Sequence, residues 1–253
     1  MEFGMEFSFE LLALLSLIAM AAGFIDAIAG GGGLLTIPAL LFTGMSPVQA
    51  IATNKLQACF GSFTATRFFI KQKLVEPKQQ LGGILAASIG AIFGALAIQA
   101  FDSNILISIL PFALIIIAVY LLFAKNFGQA AAKSKLKKST FNSTFITSVG
   151  FYDGFFGPGT GTFFTLSYCK MQAMSLIQAT AHAKLMNFTT NIISLTVFIL
   201  SDQILWVVGF AMAAGQIIGA QVGAATAIKQ GTHFIRYMTV AVCIGMSISL
   251  LLK

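Results

Sequence analysis

The chain carries very little charge. Only 9% of its 253 residues are Asp, Glu, Lys or Arg, against 57% hydrophobic residues and a mean hydropathy of +0.90. So little polar surface excludes a water-soluble globule and makes the chain an integral membrane protein. Acids are scarcer than bases, and the resulting net charge of +7 sits in short loops between apolar runs rather than on a domain of its own. That placement points to membrane topology, not to nucleic acid. Cysteine is nearly lacking: Cys59, Cys169 and Cys243 lie scattered in apolar runs without CxxC spacing, as small buried hydrophobes rather than metal or redox ligands. Also missing is the alternating pattern of an outer-membrane barrel. The apolar runs are instead about 20 residues long, the length of a helix crossing roughly 30 Å of hydrocarbon. The glycine runs lack the GK[ST] ending of a phosphate loop, and no ATP-binding segment is present. No cofactor, metal or nucleic-acid partner is expected; the expected partners are the lipid bilayer and a small solute, with a homo-oligomer left open.

What the chain does contain is a duplication. GFIDAIAGGGGLLTIP begins at Gly23 and GFYDGFFGPGTGTFFT at Gly150, each putting one aspartate into an apolar run just before a glycine break. MSPVQAIATNKLQ follows from Met45 and MSLIQATAHAKLM from Met174, each putting one lysine into another run. Paired acids, paired bases and paired breaks at membrane depth suit a pathway for a polar solute.

The first apolar run, residues 8–28, has Glu2, Glu6 and Glu10 and no base in front of it, so it reads as a retained helix and not a signal peptide. At Gly30, Gly31, Gly32 and Gly33 helix propensity falls by about 1 kcal/mol per glycine, so the chain unwinds there. Residues 34–43 are too short to cross alone. Ser46 and Pro47 cap and open a helix to Ile70, and spans near 79–100 and 104–123 complete a first repeat, 1–123. A basic linker, 124–138, leads into a second repeat, 139–253, with helices near 139–156, 161–171, 175–200, 204–227 and 233–252. Gly90 and Gly94 are matched to Gly215 and Gly219 as small-residue contacts between helices. The fold class is therefore all-α: a polytopic membrane protein of two repeats with broken or re-entrant helices, ten helical segments counting the short ones.

Twelve of the fifteen basic residues fall on one face of this arrangement, which the positive-inside rule makes cytoplasmic. The loop at 71–78 is basic while its counterpart at 201–203 is not, so the two repeats are inverted about an axis in the membrane plane. Both termini are then expected outside a bacterial inner membrane.

Lys55 and Lys184 lie too deep to snorkel; each must meet an anion, lose its proton or pair with a carboxylate, the last joining Lys55 to Asp26 or Asp153 and Lys184 to the other. Backbone N–H groups at Gly31, Gly32 and Gly33, and at Gly159, Thr160 and Gly161, sit at the N-termini of short helices and favour a small anion. Thr53, Asn54 and Asn187 extend that candidate substrate site, and Asn191, Gln49, Gln57 and Gln178 add amides on the same two helices. On this reading Lys55→Met or Lys184→Met weakens anion binding and leaves the fold assembled. Asp26 and Asp153 either cap the freed N–H groups or carry protons, or do both. His182, in the place of Thr53, is the third proton-coupling candidate, set against a plain packing role; His233 is read as solvated.

The strings GFIDAIAGGGGLLTIPALL, MSPVQAIATNKLQA, GFYDGFFGPGTGTF and ATAHAKLMN, found in that order over nearly the whole chain, resemble the TauE/SafE family, also called the TSUP sulfite exporter family, and in particular its YfcA-type inner-membrane members. The resemblance implies eight spans in two sets of four. It also implies a permease for small anions such as sulfite, organosulfonates or related sulfur or carboxylate compounds. Together with the residues it gives a secondary, proton-linked or otherwise gradient-driven transporter and not an enzyme. The rivals are an intramembrane hydrolase using Asp26 and Asp153 as a dyad, and a passive anion channel.

Overall fold

The computed structural model describes residues 7–102, 105–106 and 133–251, with side chains as far as residue 229. Every regular element among them is helical. The first half contains α1 (Phe9–Ala29), α2 (Gly33–Phe42), α3 (Pro47–Lys71), a 3-10 turn at Pro77–Gln80, and α4 (Leu81–Gln99). In the second, α5 (Lys138–Phe141) passes through a π-turn at Asn142–Ile146 into α6 (Thr147–Phe155), and α7 (Thr160–Met171), α8 (Leu176–Leu200) and α9 (Trp206–Leu251) follow. The expected span at 104–123 and most of the linker lie outside the described residues. The linker's end is pinned to α7, where the Lys135 N–H and the Ser134 hydroxyl both donate to the Met171 carbonyl, at 2.9 and 3.1 Å.

Among the described residues, four helices are long and apolar enough to cross a membrane: Phe9–Ala29, Pro77–Gln99, Leu176–Leu200 and Trp206–Lys229. The protein is thus a multi-pass membrane protein. α3 has the length, 25 residues, but a more polar face, because it carries Thr53, Asn54, Lys55 and Gln57, all buried.

Local sequence explains where the helices start and stop. Ser46 and Gln49 form a reciprocal capping box at the start of α3, with bonds of 3.1 and 3.3 Å, and Ser175 with Gln178 repeats it on α8. α1 stops at Gly30, whose φ of 81° few residues other than glycine accept. α6 stops where Gly157 (φ 99°), Pro158 and Gly159 (φ 77°) intervene.

α3 and α8, the two lysine-bearing helices, run antiparallel. Val48, Ile51 and Ala52 at the start of α3 pack with Leu195 and Phe198 at the end of α8 and with Ile204 just beyond it. Phe69 at the end of α3 packs with Leu176 and Ala179 at the start of α8. Equivalent pieces of the repeat therefore point opposite ways, as the charge pattern predicts. The Lys138 ammonium donates to the Gln79 carbonyl at 2.5 Å, which places the 71–80 loop and the end of the linker on the same face.

Flanking helices close on each half through glycines. A Cβ on Gly90 would run into the Thr147 carbonyl and one on Gly94 into that of Phe151; on α9, Gly219 meets Met20 and Gly223 meets Phe24 in the same way. The structural equivalents are thus Gly90 with Gly219 and Gly94 with Gly223, one turn along from the pairing matched in the sequence. GAIFGA and GAQVGA are the true copies. Gly94→Leu or Gly223→Leu should each cost about 2–3 kcal/mol, read from unfolding in detergent, because the opposing atoms are backbone and cannot yield. Leu85→Ala, on an exposed face, should stay within about 0.5 kcal/mol.

One expected break is absent: α9 continues as a single 46-residue helix through 228–232, where a loop before a separate helix at 233–252 is expected. No proline lies between Trp206 and Leu251, and the lone Gly231 costs only about 1 kcal/mol against the helix formers around it. His233 and Arg236 accordingly belong to helix backbone, not to a loop.

Candidate functional site

The two breaks cross at the centre of the molecule. Gly30 lies against Gly161 so closely that a Cβ on Gly161 would be 2.6 Å from the Gly30 Cα, and the Thr162 hydroxyl donates to the Ala29 carbonyl at 2.5 Å. Gly33 faces Pro158 across the same crossing. Since each break follows an aspartate by one helical turn, the crossing draws both acids inward, and the antiparallel α3 and α8 bring a lysine to each.

The pairing runs across the halves. Lys55 donates to Asp153 Oδ1 at 2.8 Å and Lys184 to Asp26 Oδ2 at 2.8 Å. Each lysine of one repeat neutralises the aspartate of the other. The two pairs are not equally held. Asp153, with its side chain 2% exposed, also accepts from the Asn187 amide at 3.3 Å and from the Thr190 hydroxyl. Asp26, 20% exposed, has in addition to Lys184 only the Gly32 N–H at 3.3 Å among the described residues. The difference follows from the sequence, because Ala58 and Gly61 stand on α3 where α8 has Asn187 and Thr190. Neither offers a donor, and the space over Gly61 is taken by the Gln216 amide from α9, which also touches Gly23.

Between the pairs lies a cavity of about 20 Å³, room for about one water, walled by Asp26, Lys55 and Asp153, by glycines of both breaks, and by the amides of Asn54, Gln57, Asn187, Asn191 and Gln216. Asn54 accepts from the Thr36 hydroxyl at 2.5 Å and the Gln57 amide at 2.6 Å, which leaves the Gln57 carbonyl oxygen without a partner. Asn191 and Gln216 are buried, and their side chains make no hydrogen bond among the described residues. Two ammonium groups and two carboxylates cancel, so the site as a whole is formally neutral and not the electropositive chamber that the lysines alone suggest.

The crossing gathers Asp26, Gly32, Gly33, Asn54, Lys55, Asp153, Gly161 and Asn187 around one cavity, with Lys184 bonded behind Asp26. Other expected residues are spent elsewhere. Thr53 accepts the Leu205 N–H at 3.1 Å, and the Thr160 hydroxyl bonds the Gly157 carbonyl at 2.6 Å. Gly31 and Gly159 shape the breaks without lining the cavity. His182 bonds the Gln178 carbonyl at 2.9 Å and packs on Tyr168; two residues from Lys184, it lies on the other side of α8. Gln49 and Gln178 serve their helix caps. Capping does hold for Asp26, which takes the Gly32 N–H, whereas Asp153 binds only side chains. Thr53→Val should therefore cost about 1–2 kcal/mol through the stranded Leu205 N–H while leaving solute affinity unchanged, checked by unfolding and by binding on the same sample.

The residue that sequence reasoning misses is Gln216. A single glutamine in an apolar span carries no motif; its one signal is that its equivalent on α4, by the GAIFGA and GAQVGA register, is Ala87, so the amide has no counterpart in the duplicated fold.

Two inverted halves, each with a broken helix, meeting around buried charges, define a membrane protein built as transporters are. The sequence pattern of the family described as Sulfite exporter TauE/SafE matches residues 15–250, and the chain belongs to that family. It is 45% identical over 241 residues to the "Probable membrane transporter protein YfcA" of Escherichia coli K12, covering 95% of this chain and 90% of that protein. It is 43% identical to a "Probable membrane transporter protein" of Haemophilus influenzae, covering 96% and 95%, and 43% identical to one of Sinorhizobium, covering 97% and 94%. No solved structure matches it. Family and fold together make the protein a multi-pass membrane transporter.

Proposed function

We propose that the protein is a secondary permease for small anions such as sulfite, organosulfonates or related sulfur or carboxylate compounds, driven by an ion gradient and linked to protons, with both termini outside an inner membrane. The observation that carries this reading is the pair of cross-half lysine–aspartate bridges around a cavity whose amide lining includes the unpartnered Gln57 carbonyl oxygen and the side chains of Asn191 and Gln216, which make no hydrogen bond among the described residues. A buried bridge alone contributes little net stability, and amides left without partners in a core are unfavourable, so a purely structural role leaves both unexplained. An anion entering as the halves part finds an ammonium to replace a carboxylate, amide donors, and backbone N–H groups at the starts of α2 and α7. The family's description supplies sulfite as the first compound to try.

A cavity of about 20 Å³ is too small for a sulfite-sized ion, so binding requires the halves to separate; this favours a carrier over a passive channel. The bridges also weigh against the hydrolase: a proton-sharing dyad needs two carboxylates facing each other, and here each faces its own ammonium. Purified protein should gain several degrees of thermal stability from one class among sulfite, sulfonates and carboxylates, and proteoliposomes should take up that class saturably. No shift and no flux with any of them would overturn the reading. For orientation, cysteines at 73 and 202 should label from opposite sides of the membrane.

A further inference from the structure

We propose that the two bridges have different jobs. Lys55–Asp153 is a fixed strut. Asp26 is the group that takes up the transported proton, and Gln216 is a ligand for the anion that travels with it. This rests on the permease reading above and adds to it a stoichiometry of one proton per negative charge.

The duplicated site is asymmetric. Symmetry alone would give both aspartates the same partners, yet Asp153 is clamped by Lys55, Asn187 and Thr190 and is sealed, while Asp26 keeps one lysine and one backbone N–H and is tenfold more exposed, 20% against 2%. Neutralising Asp153 would strand Lys55 and two further donors at once; neutralising Asp26 frees Lys184 and a single N–H. Asp26 stands in the cavity wall and Lys184 does not, so the carboxylate is interposed between the cavity and that ammonium. When Asp26 gains a proton, the charge on Lys184 is left uncompensated in a dry environment, where isolated charge is strongly unfavourable. An anion in the cavity restores the balance.

Gln216 is placed for the remaining step. The residue is 3% exposed and lines the cavity, and its amide lies against Gly23 and Gly61 on the Asp26 side and makes no hydrogen bond among the described residues. An amide in the wall of a cavity that adjoins a newly unbalanced ammonium, with Asp26 between the two, supplies a donor for an oxyanion entering that cavity. The charged groups facing Asp26 are Lys184 from α8, with Lys55 from α3 and Asp153 from α6 across the cavity; α2 and the 206–227 stretch of α9 hold no titratable residue. The cycle balances in charge: the unloaded site is neutral with Asp26 ionised, and the loaded site is neutral with Asp26 protonated and a monoanion bound. Transport is therefore electroneutral.

Ethanesulfonate is a suitable probe because it remains a monoanion at all working pH values, so any proton that moves with it is carried by the protein. In proteoliposomes with an internal pH dye, the expected ratio is one proton per sulfonate, with uptake unchanged when potassium and valinomycin clamp the potential at either sign. Asp26→Asn should lose proton-driven accumulation while keeping slower sulfonate-for-sulfonate exchange, so that exchange relative to net uptake rises at least tenfold. Asp26→Glu should restore coupling, which separates lost chemistry from lost folding. Gln216→Ala should raise the sulfonate KM about tenfold and leave the proton ratio at one. Potential-dependent uptake by the wild type, coupling that survives in Asp26→Asn, or a KM unmoved by Gln216→Ala would each overturn the inference while leaving an anion permease standing. A wild type that exchanges no sulfonate, sulfite or carboxylate would overturn the permease reading, and this inference with it.

Discussion

Asp153→Ala is expected to lower stability by about 3–5 kcal/mol, among the largest effects of any single change in the chain. The aspartate itself is a short side chain; what the substitution leaves behind is the larger part. Lys55 is 1% exposed and too deep to reach water, so its ammonium would be stranded, together with the Asn187 amide and the Thr190 hydroxyl. Removing both members of the pair tests the explanation. Lys55→Met with Asp153→Leu should recover most of the loss, because two apolar side chains of similar volume need no partner. Lys55→Met alone should also destabilise, since it leaves a buried carboxylate. The sequence reading expects a lysine replacement to spare the fold; the pairing reverses that expectation. Chemical unfolding in mild detergent of the two single variants and the double one measures the coupling directly.

Gly30→Val should be about as damaging, at roughly 3 kcal/mol or more, and for a different reason. Gly30 sits at φ 81°, a conformation that costs an L-residue about 1–2 kcal/mol, more for a branched one. Its Cβ would also collide with the backbone of Gly161 and Thr162. Because those atoms belong to the opposite half, the halves must move apart to admit a side chain, and both ion pairs are drawn from that crossing. The variant should therefore lose thermal stability and solute binding together, whereas Thr53→Val should lose only the first. A Gly30→Val protein that keeps its unfolding midpoint would show that the breaks do not touch.

The residues through which the sequence speaks most clearly are those with a physical penalty attached. A lysine or aspartate in an apolar run demands a partner, and a string of glycines ends a helix, so Asp26, Lys55, Asp153 and Lys184 and both breaks are legible in the sequence alone. Charge in the loops likewise gave the inversion. Which aspartate meets which lysine was not legible, since that depends on the crossing of Gly30 over Gly161 and not on spacing along the chain. Thr53 and His182 illustrate the same limit: each is polar and close in sequence to a lysine, yet helix rotation sends Thr53 to Leu205 and His182 to Tyr168. The continuity of α9 through Gly231 shows that a glycine flanked by basic residues marks a break less reliably than a run of several. Gln216 was invisible because its meaning lies in what its counterpart lacks.

The claim on which all of this depends is that the transported anion occupies the small cavity where the two inverted halves cross. The most direct test is thiol labelling of Asn191→Cys, in a chain whose Cys59, Cys169 and Cys243 are replaced by alanine, with and without an anion that the protein is shown to carry. The account predicts slow labelling that falls as the anion is raised, half-suppressed near its transport KM. A labelling rate unchanged at saturating anion would place the solute elsewhere and contradict it.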